Sequence, residues 1–269
     1  MPVLEGQEWT FDTAADTYAK IRPGYPDELY RTLFAYCPLG PSARAAEVGI
    51  GGGQATLPVL ETGCAVTAVE YGERFSRICR EKFSAFPGFS VITGRFEETD
   101  LPDGSFDLVY SASAFHWVPQ ETGYRKVFRL LRPGGAFARF ANHPFRAWGN
   151  DPLFDAIDRA YADYYYPYYG TEPRKITEYT EAQAAQRAKL AEKYGFADTR
   201  YALFHRTRVL SAREYRMLLS TYSDHIAMEE GVRERFFDAV EEAITRFGGS
   251  ITLADTIDLQ LARKPQGSE

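Results

Sequence analysis

Ala45-Ala46-Glu47-Val48 is a short run of small and apolar residues that stops at Gly49-Ile50-Gly51-Gly52-Gly53, and a helix-compatible stretch, Gln54 to Leu60, follows. Strand, bare turn and helix in that order put exposed backbone at the carboxyl end of a buried strand, the usual ligand position in an open α/β sheet. The glycines reach backbone angles closed to other residues, and without a Cβ they let a ligand lie against the main chain. A second strand-like run, Cys64 to Val69, ends at Glu70, 21 positions after Gly49. An acidic residue at that distance, on the tip of the second strand, can accept hydrogen bonds from both hydroxyls of a ribose.

From Arg44 onward, strand-like and helix-like segments alternate, which predicts a parallel sheet with crossover helices. Expected strands are Phe89–Ile92, Phe106–Ser111, Ala136–Ala141, Phe204–Leu210 and a last one over Ile251–Leu253 and Ile257–Leu261. Expected helices cover Asp27–Tyr36, Arg74–Phe86, Glu121–Leu131, Glu181–Tyr194, Ala212–Leu219 and Val232–Phe247. Before the glycines, Trp9, Phe11, Ala14, Ala15, Tyr18 and Ile21 form an apolar stripe at helical spacing, ended by Arg22-Pro23-Gly24-Tyr25-Pro26. After Asn142, Trp148, Phe154, Tyr161, Tyr164, Tyr165, Tyr166, Tyr168 and Tyr169 crowd together. Such a cluster can wall a pocket or simply cap the sheet.

The dinucleotide fingerprint G-x-G-x-x-G does not fit, because its sixth position is Gln54 and Gly53 comes one residue early. E-x-G-x-G-x-G, from Glu47 to Gly53, instead resembles the first motif of class I S-adenosylmethionine-dependent methyltransferases. Phe106-Asp107-Leu108-Val109 followed by small residues, His116-Trp117, and the turn Leu131-Arg132-Pro133-Gly134-Gly135 resemble later motifs of the same family in the same order. F-D-x-x-A-x-x-Y-x-x-x-R-P-x-Y-P, from Phe11 to Pro26, is similar to the N-terminal helix of its small-molecule branch. Strand four lacks D-P-P-Y or N-P-P-Y, and no cysteine follows a proline, so the aminomethylating and cytosine-C5 DNA enzymes are not resembled.

The resemblance implies a Rossmann-like α/β fold: a seven-stranded, mostly parallel sheet with an antiparallel last strand, helices on both faces and a helical substrate cap. It implies one domain arranged as a helical lid (1–38), a cofactor core (39–142), an aromatic cap (143–195) and completion of the sheet (196–269). The implied cofactor is S-adenosylmethionine, held by Tyr18, Arg22, Glu47, Gly49, Gly51, Gly53, Glu70, Tyr71, Phe96, Glu97 and Ser111. Within that set Phe96 packs on the adenine and Glu97 accepts from its amine, while Arg22 pairs with the carboxylate of the cofactor or of an acidic substrate. Tyr25, His116, Trp117, His143 and Tyr165 are the implied acceptor-side residues.

A sulfonium methyl is electrophilic unaided, so the protein's main task is in-line positioning of the nucleophile. A hydroxyl or amine acceptor also profits from a general base, whereas a carboxylate or an acidic carbon needs none. His116, just past strand four, is the first candidate base and His143, just past strand five, the second; His205 and His225 read as structural. Two other readings of the same motifs are a cofactor-binding regulator without turnover and a nicotinamide-dependent oxidoreductase.

A net charge of −6 disfavours nonspecific nucleic-acid binding, which needs a basic face. No apolar run approaches the roughly 20 residues that span a bilayer. Residues 1–10 lack a basic stretch followed by an apolar core, so no secretory signal is expected. Three cysteines without C-x-x-C spacing suit the reduced cytoplasm and give no zinc site. The expected partner is therefore a small-molecule methyl acceptor, with neither nucleic acid nor membrane.

Overall fold

Seven segments rich in β-branched, aromatic and small residues form strands: β1 Arg44–Val48, β2 Ala65–Glu70, β3 Phe89–Thr93, β4 Phe106–Ala112, β5 Leu131–Phe145, β6 Ala197–Ser211 and β7 Ser250–Arg263. The computed structural model describes residues 10–145, 152–173 and 176–267; Trp9 and Trp148 lie outside them, and of Phe11 only the backbone is described. The strands make one sheet in the order β3-β2-β1-β4-β5-β7-β6. β2 pairs with both β1 and β3 in parallel, and β4 pairs in parallel with β1 and β5. Chain order therefore runs outward from β1 in one direction through β2 and β3, and in the other from β4. The crevice beyond the carboxyl ends of β1 and β4 is the position where such sheets bind ligands.

By contact, the chain divides into two compact units. One comprises Pro23–His143, Tyr179–Phe204 and Ile257–Glu269. Its strands alternate between two cores, as period-2 geometry requires. Ala45, Val66, Ala68, Leu108, Tyr110, Ala138 and Phe140 belong to one core. They pack with Leu29 and Leu33 of α1 (Asp27–Tyr36) and Cys79 of α2 (Glu73–Lys82). Ala46, Val48, Val69, Val109 and Phe137 belong to the other, against Tyr124, Val127 and Leu130 of α3 (Gln120–Leu130). Burying each of the large side chains contributes roughly 1.5–3 kcal/mol. This fixes the strand register, because a one-residue slip would exchange the two faces.

The other unit comprises Met1–Arg22, Pro144–Glu178 and His205–Thr256. Its core gathers Leu153, Ile157, Leu218, Phe236, Phe237, Val240 and Ile244. Within it, Asp255 is buried and ion-paired with both Arg206 (3.2 Å) and Arg208 (2.5 Å).

Several expected bounds need correction. The helix after the glycine cluster is only Leu57–Leu60, with turns over 51–56. Gly51 and Gly53 take φ of 54° and 72°, which no helical residue adopts, and Pro58 suits the first turn of a helix. The fifth strand, expected over Ala136–Ala141, runs Leu131–Phe145 and so contains His143, and the sixth, expected over Phe204–Leu210, runs Ala197–Ser211. The pairing of β5 with β4 is irregular between Phe106 and Leu108, which accommodates Pro133-Gly134-Gly135.

Candidate functional site

The glycine turn at the end of β1 is fixed from several sides. Gly49, Gly51 and Gly53 all have left-handed φ. A Cβ at Gly49 would stand 2.4 Å from the Ala114 Cβ, and one at Gly53 would stand 2.6 Å from the Phe83 ring. Glu70, buried at the tip of β2, accepts from the Gly51 amide through Oε2 and from the Gly72 amide through Oε1, both at 2.8 Å. Lys82 donates to the Gly52 and Gly53 carbonyls at 2.9 and 3.1 Å. The Cys79 thiol donates to the Gly51 carbonyl at 3.1 Å.

Glu47 lies beneath this turn and is 1% exposed. Its Oε2 accepts from Tyr110 (2.7 Å) and Thr56 (2.8 Å), while Oε1 has no hydrogen-bond partner among the described residues. Burial raises its pKa to about 7; the two hydroxyl bonds oppose the rise and the Glu70 charge adds to it. A buried carboxylate with one oxygen unpaired is an unfavourable arrangement by itself. Its donor set fits a cationic group such as the α-ammonium of an amino acid.

At the carboxyl ends of β4 and β5 lies a second polar group. Ser113 holds φ of 55°, a left-handed geometry uncommon outside glycine, and its hydroxyl shares a 2.8 Å hydrogen bond with Tyr25. The Ser113 amide donates to the Phe140 carbonyl (2.8 Å), which draws the end of β4 onto β5. Three residues on, His143 points Nε2 at Asp258 Oδ1 of β7 (2.9 Å) and stacks on Tyr179, with ring centres 4.0 Å apart and planes at 3°. The Asp258 side chain is wholly buried and also accepts from the Ala141 amide (3.1 Å) and from Gln260 Nε2. The Tyr179 hydroxyl is buried without a well-formed hydrogen bond among the described residues. Burial and the Asp258 charge, opposed by Arg187, push its pKa up to about 12.

His116 sits near this group, in the fields of Arg139, Arg187 and His143. Crowding, and then those positive neighbours, lower its pKa to about 4. The residue is nonetheless solvent-exposed by surface area. Both effects make it a weak base, neutral at physiological pH.

The remaining predicted residues are distributed as follows. Ser111 is buried and donates to the Val48 carbonyl at 2.8 Å. Tyr71 is 43% exposed with Arg95 over its ring, and Glu97 pairs with Arg95 at 3.7 Å. Phe96 is only 4% exposed and packs among Val69, Leu101 and Val127. Trp117 lies beside His116, ring centres 5.3 Å apart. Tyr18, Arg22 and Tyr165 belong to the other unit and are engaged inside it. Arg22 donates to the Thr221 hydroxyl and carbonyl and lies over the Tyr18 and Tyr222 rings. Tyr165 donates to the buried Asp224 at 2.7 Å.

Sequence reasoning missed Asp258, Tyr179 and Asp224, the last paired at 3.1 Å with the buried His225. A lone acid inside the apolar alternation Ile257-Asp258-Leu259-Gln260-Leu261 was the available signal for the first.

The strand order and the backbone cradle define a Rossmann-like α/β protein of the nucleotide-binding kind. A family model described as a methyltransferase domain matches residues 46–138, from β1 into β5. An uncharacterized methyltransferase of Mycobacterium tuberculosis is 33% identical over 126 residues, covering 47% of this chain and 49% of that protein. The chain thus spans about half the length of that relative. An uncharacterized methyltransferase of Geobacillus is 32% identical over 146 residues, covering 51% of this chain and 67% of its own. Phosphoethanolamine N-methyltransferase 2 of Haemonchus contortus, solved with phosphomonomethylethanolamine and S-adenosylhomocysteine, superposes with a TM-score of 0.53 at 15% identity, covering 95% of this chain and 58% of that one. The chain belongs to the class I S-adenosylmethionine-dependent methyltransferases.

Proposed function

We propose that the protein binds S-adenosylmethionine and transfers its methyl group to a small-molecule acceptor. The observation that carries this is the cradle: three left-handed glycines roofed by Glu70, with the unpaired Glu47 Oε1 beneath them. A carboxylate can accept about four hydrogen bonds, so a ribose diol can share Glu70 with the loop amides. Glu47 supplies a counter-charge for the methionyl ammonium. When bound, the cofactor supplies a methyl carbon already activated by its sulfonium. The chain's own residues then have to orient the nucleophile, exclude water and manage its proton.

A small acceptor accords with the net charge of −6, which disfavours nonspecific binding of nucleic acid. No helix among the described residues is long and apolar enough to cross a membrane. Three buried free cysteines accord with a cytoplasmic setting.

Calorimetric titration with S-adenosylhomocysteine tests the assignment, with dissociation constants in the micromolar range as the expected result. Binding of nicotinamide dinucleotides in its place would overturn it, as would no binding of either cofactor form. Replacing Tyr18, Arg22, Tyr71, Glu97 and Tyr165 one at a time, in the same titrations and in acceptor assays, tests the parts expected of them.

A further inference from the structure

His116, past β4, and His143, near the carboxyl end of β5, are not equivalent. His116 makes no hydrogen bond to a carboxylate among the described residues and is held neutral by its surroundings. His143 is fixed twice, by Asp258 on its Nε2 and by the Tyr179 ring on its face, and its side chain remains 26% exposed. Asp258 is itself fixed by the Ala141 amide and by Gln260. A carboxylate held in that way imposes the Nε2–H tautomer, leaves the Nδ1 lone pair as the basic atom, and stabilises the ring once it is protonated. The pair is also placed where the chemistry belongs. Ala114 sits against Gly49 at the glycine turn, Ser113 bonds to Phe140, and the Asn142 amide approaches the Ser113 hydroxyl at 3.4 Å.

We infer that His143, oriented by Asp258, is the general base that removes a proton from the acceptor, and that the acceptor therefore attacks through a hydroxyl or an amine. This rests on the methyl-transfer reading above. The acceptor's oxygen or nitrogen pair forms the new bond to the methyl carbon, and the carbon–sulfur pair departs with the thioether. The acceptor's proton passes to Nδ1 of His143, and the imidazolium later releases it to solvent. Asp258 is a positioning residue, since it acts through the ring. A carboxylate acceptor would have no proton to give and no use for the pair. Asp258 from β7 meets this ring at Nε2 and Tyr179 covers its face, while Arg187 of the helix Glu181–Lys189 lies over Tyr179 and His116 after β4 lies within the ring's electrostatic reach.

The test uses the full chain and its H143Q and D258N variants, with S-adenosylhomocysteine titration as a first measurement. If the wild type fails to bind that ligand, the methyl-transfer reading has failed, and this inference with it. If it binds, H143Q is expected to bind within about twofold of wild type, which also shows the variant is folded. Acceptor panels of phenols, alcohols, amines and carboxylic acids then report S-adenosylhomocysteine formation. Turnover on hydroxyl or amine acceptors is expected to fall about 10²–10⁴-fold in H143Q. In D258N the acid limb of kcat/KM is expected to move to lower pH, a shift that a merely structural tie between β5 and β7 would not produce. Nitrogen-15 NMR of histidine-labelled protein is expected to show one ring held as the Nε2–H tautomer in the wild type and released in D258N. Carboxylic acids as the methylated class, H143Q activity within about threefold of wild type, or a His143 ring protonated on Nδ1 when neutral would each overturn the inference.

Discussion

Replacing Glu47 with glutamine is expected to abolish a proton release that accompanies cofactor binding. In the free protein, burial raises the Glu47 pKa from its ordinary 4.5 to about 7. At about 1.4 kcal/mol per tenfold change in proton affinity, that difference is on the order of 3 kcal/mol. The sign follows from linkage: the folded chain holds a proton that the unfolded chain gives up above its ordinary pKa. Glu47 therefore favours the fold fully below about pH 4.5, and this contribution disappears as pH rises through about 7. A ligand ammonium beside Oε1 reverses the preference, because it favours the ionised form. At pH 6 roughly 0.9 proton per molecule should leave on binding, and close to none at pH 8. Calorimetry with S-adenosylhomocysteine in two buffers of different ionisation enthalpy reads that number directly. Affinity in the wild type should rise from pH 6 to pH 8. E47Q should bind about 10- to 100-fold more weakly at pH 8, the worth of one charge-assisted hydrogen bond, and should show no such pH dependence. Equal proton release in wild type and E47Q, or an affinity flat across this range, would refute the placement of the ammonium on Glu47.

Gly49→Ala should destabilise the fold by about 1–3 kcal/mol in denaturant titrations, because φ of 71° and a 2.4 Å approach to Ala114 leave no room for a methyl. Lys82→Met removes two bonds to the glycine-turn carbonyls, and it is expected to weaken S-adenosylhomocysteine binding several-fold with a change in melting temperature of only a few degrees. Asp255→Asn leaves Arg206 and Arg208 without their buried counter-charge and should cost about 3–5 kcal/mol by chemical unfolding. Tyr165→Phe removes a 2.7 Å bond to the buried Asp224, for a loss of about 1–3 kcal/mol in the same measurement. Burial pushes the Asp224 carboxyl up, but His225 and Tyr165 outweigh it and hold the pKa at about 2. The stability this group contributes is present above about pH 4 and is lost as pH falls through about 2.

Much of the sheet was legible because its information is local. Short runs of apolar and small residues marked β1 to β4, and the 21-residue interval from Gly49 to Glu70 placed one ligand-facing carboxylate. What escaped depends on distant partners. Nothing near His143 in the chain announces Asp258, which reaches it across 115 residues. Phe96 stands in a polar loop and reads as a surface aromatic, yet it is buried between β2 and α3 because the loop folds inward and Lys126 caps its carbonyl. His225 has no chemical neighbour in sequence except Asp224, and its aromatic surroundings come from Tyr161, Tyr165 and Phe236. The helix expected at Gln54 failed for a local reason: propensity was outvoted by the glycine backbone angles.

The order β5-β7-β6 has a consequence for how the protein is made. β6 leaves the ribosome before β7, yet in the finished sheet β7 is its neighbour and separates it from β5. Until about residue 250 has been synthesised, two strand edges wait without their mate. Open edges of this kind invite pairing with other chains. Arg206 and Arg208 give the waiting strand a like-charged border that discourages self-association, and Asp255 neutralises both when the last strand arrives.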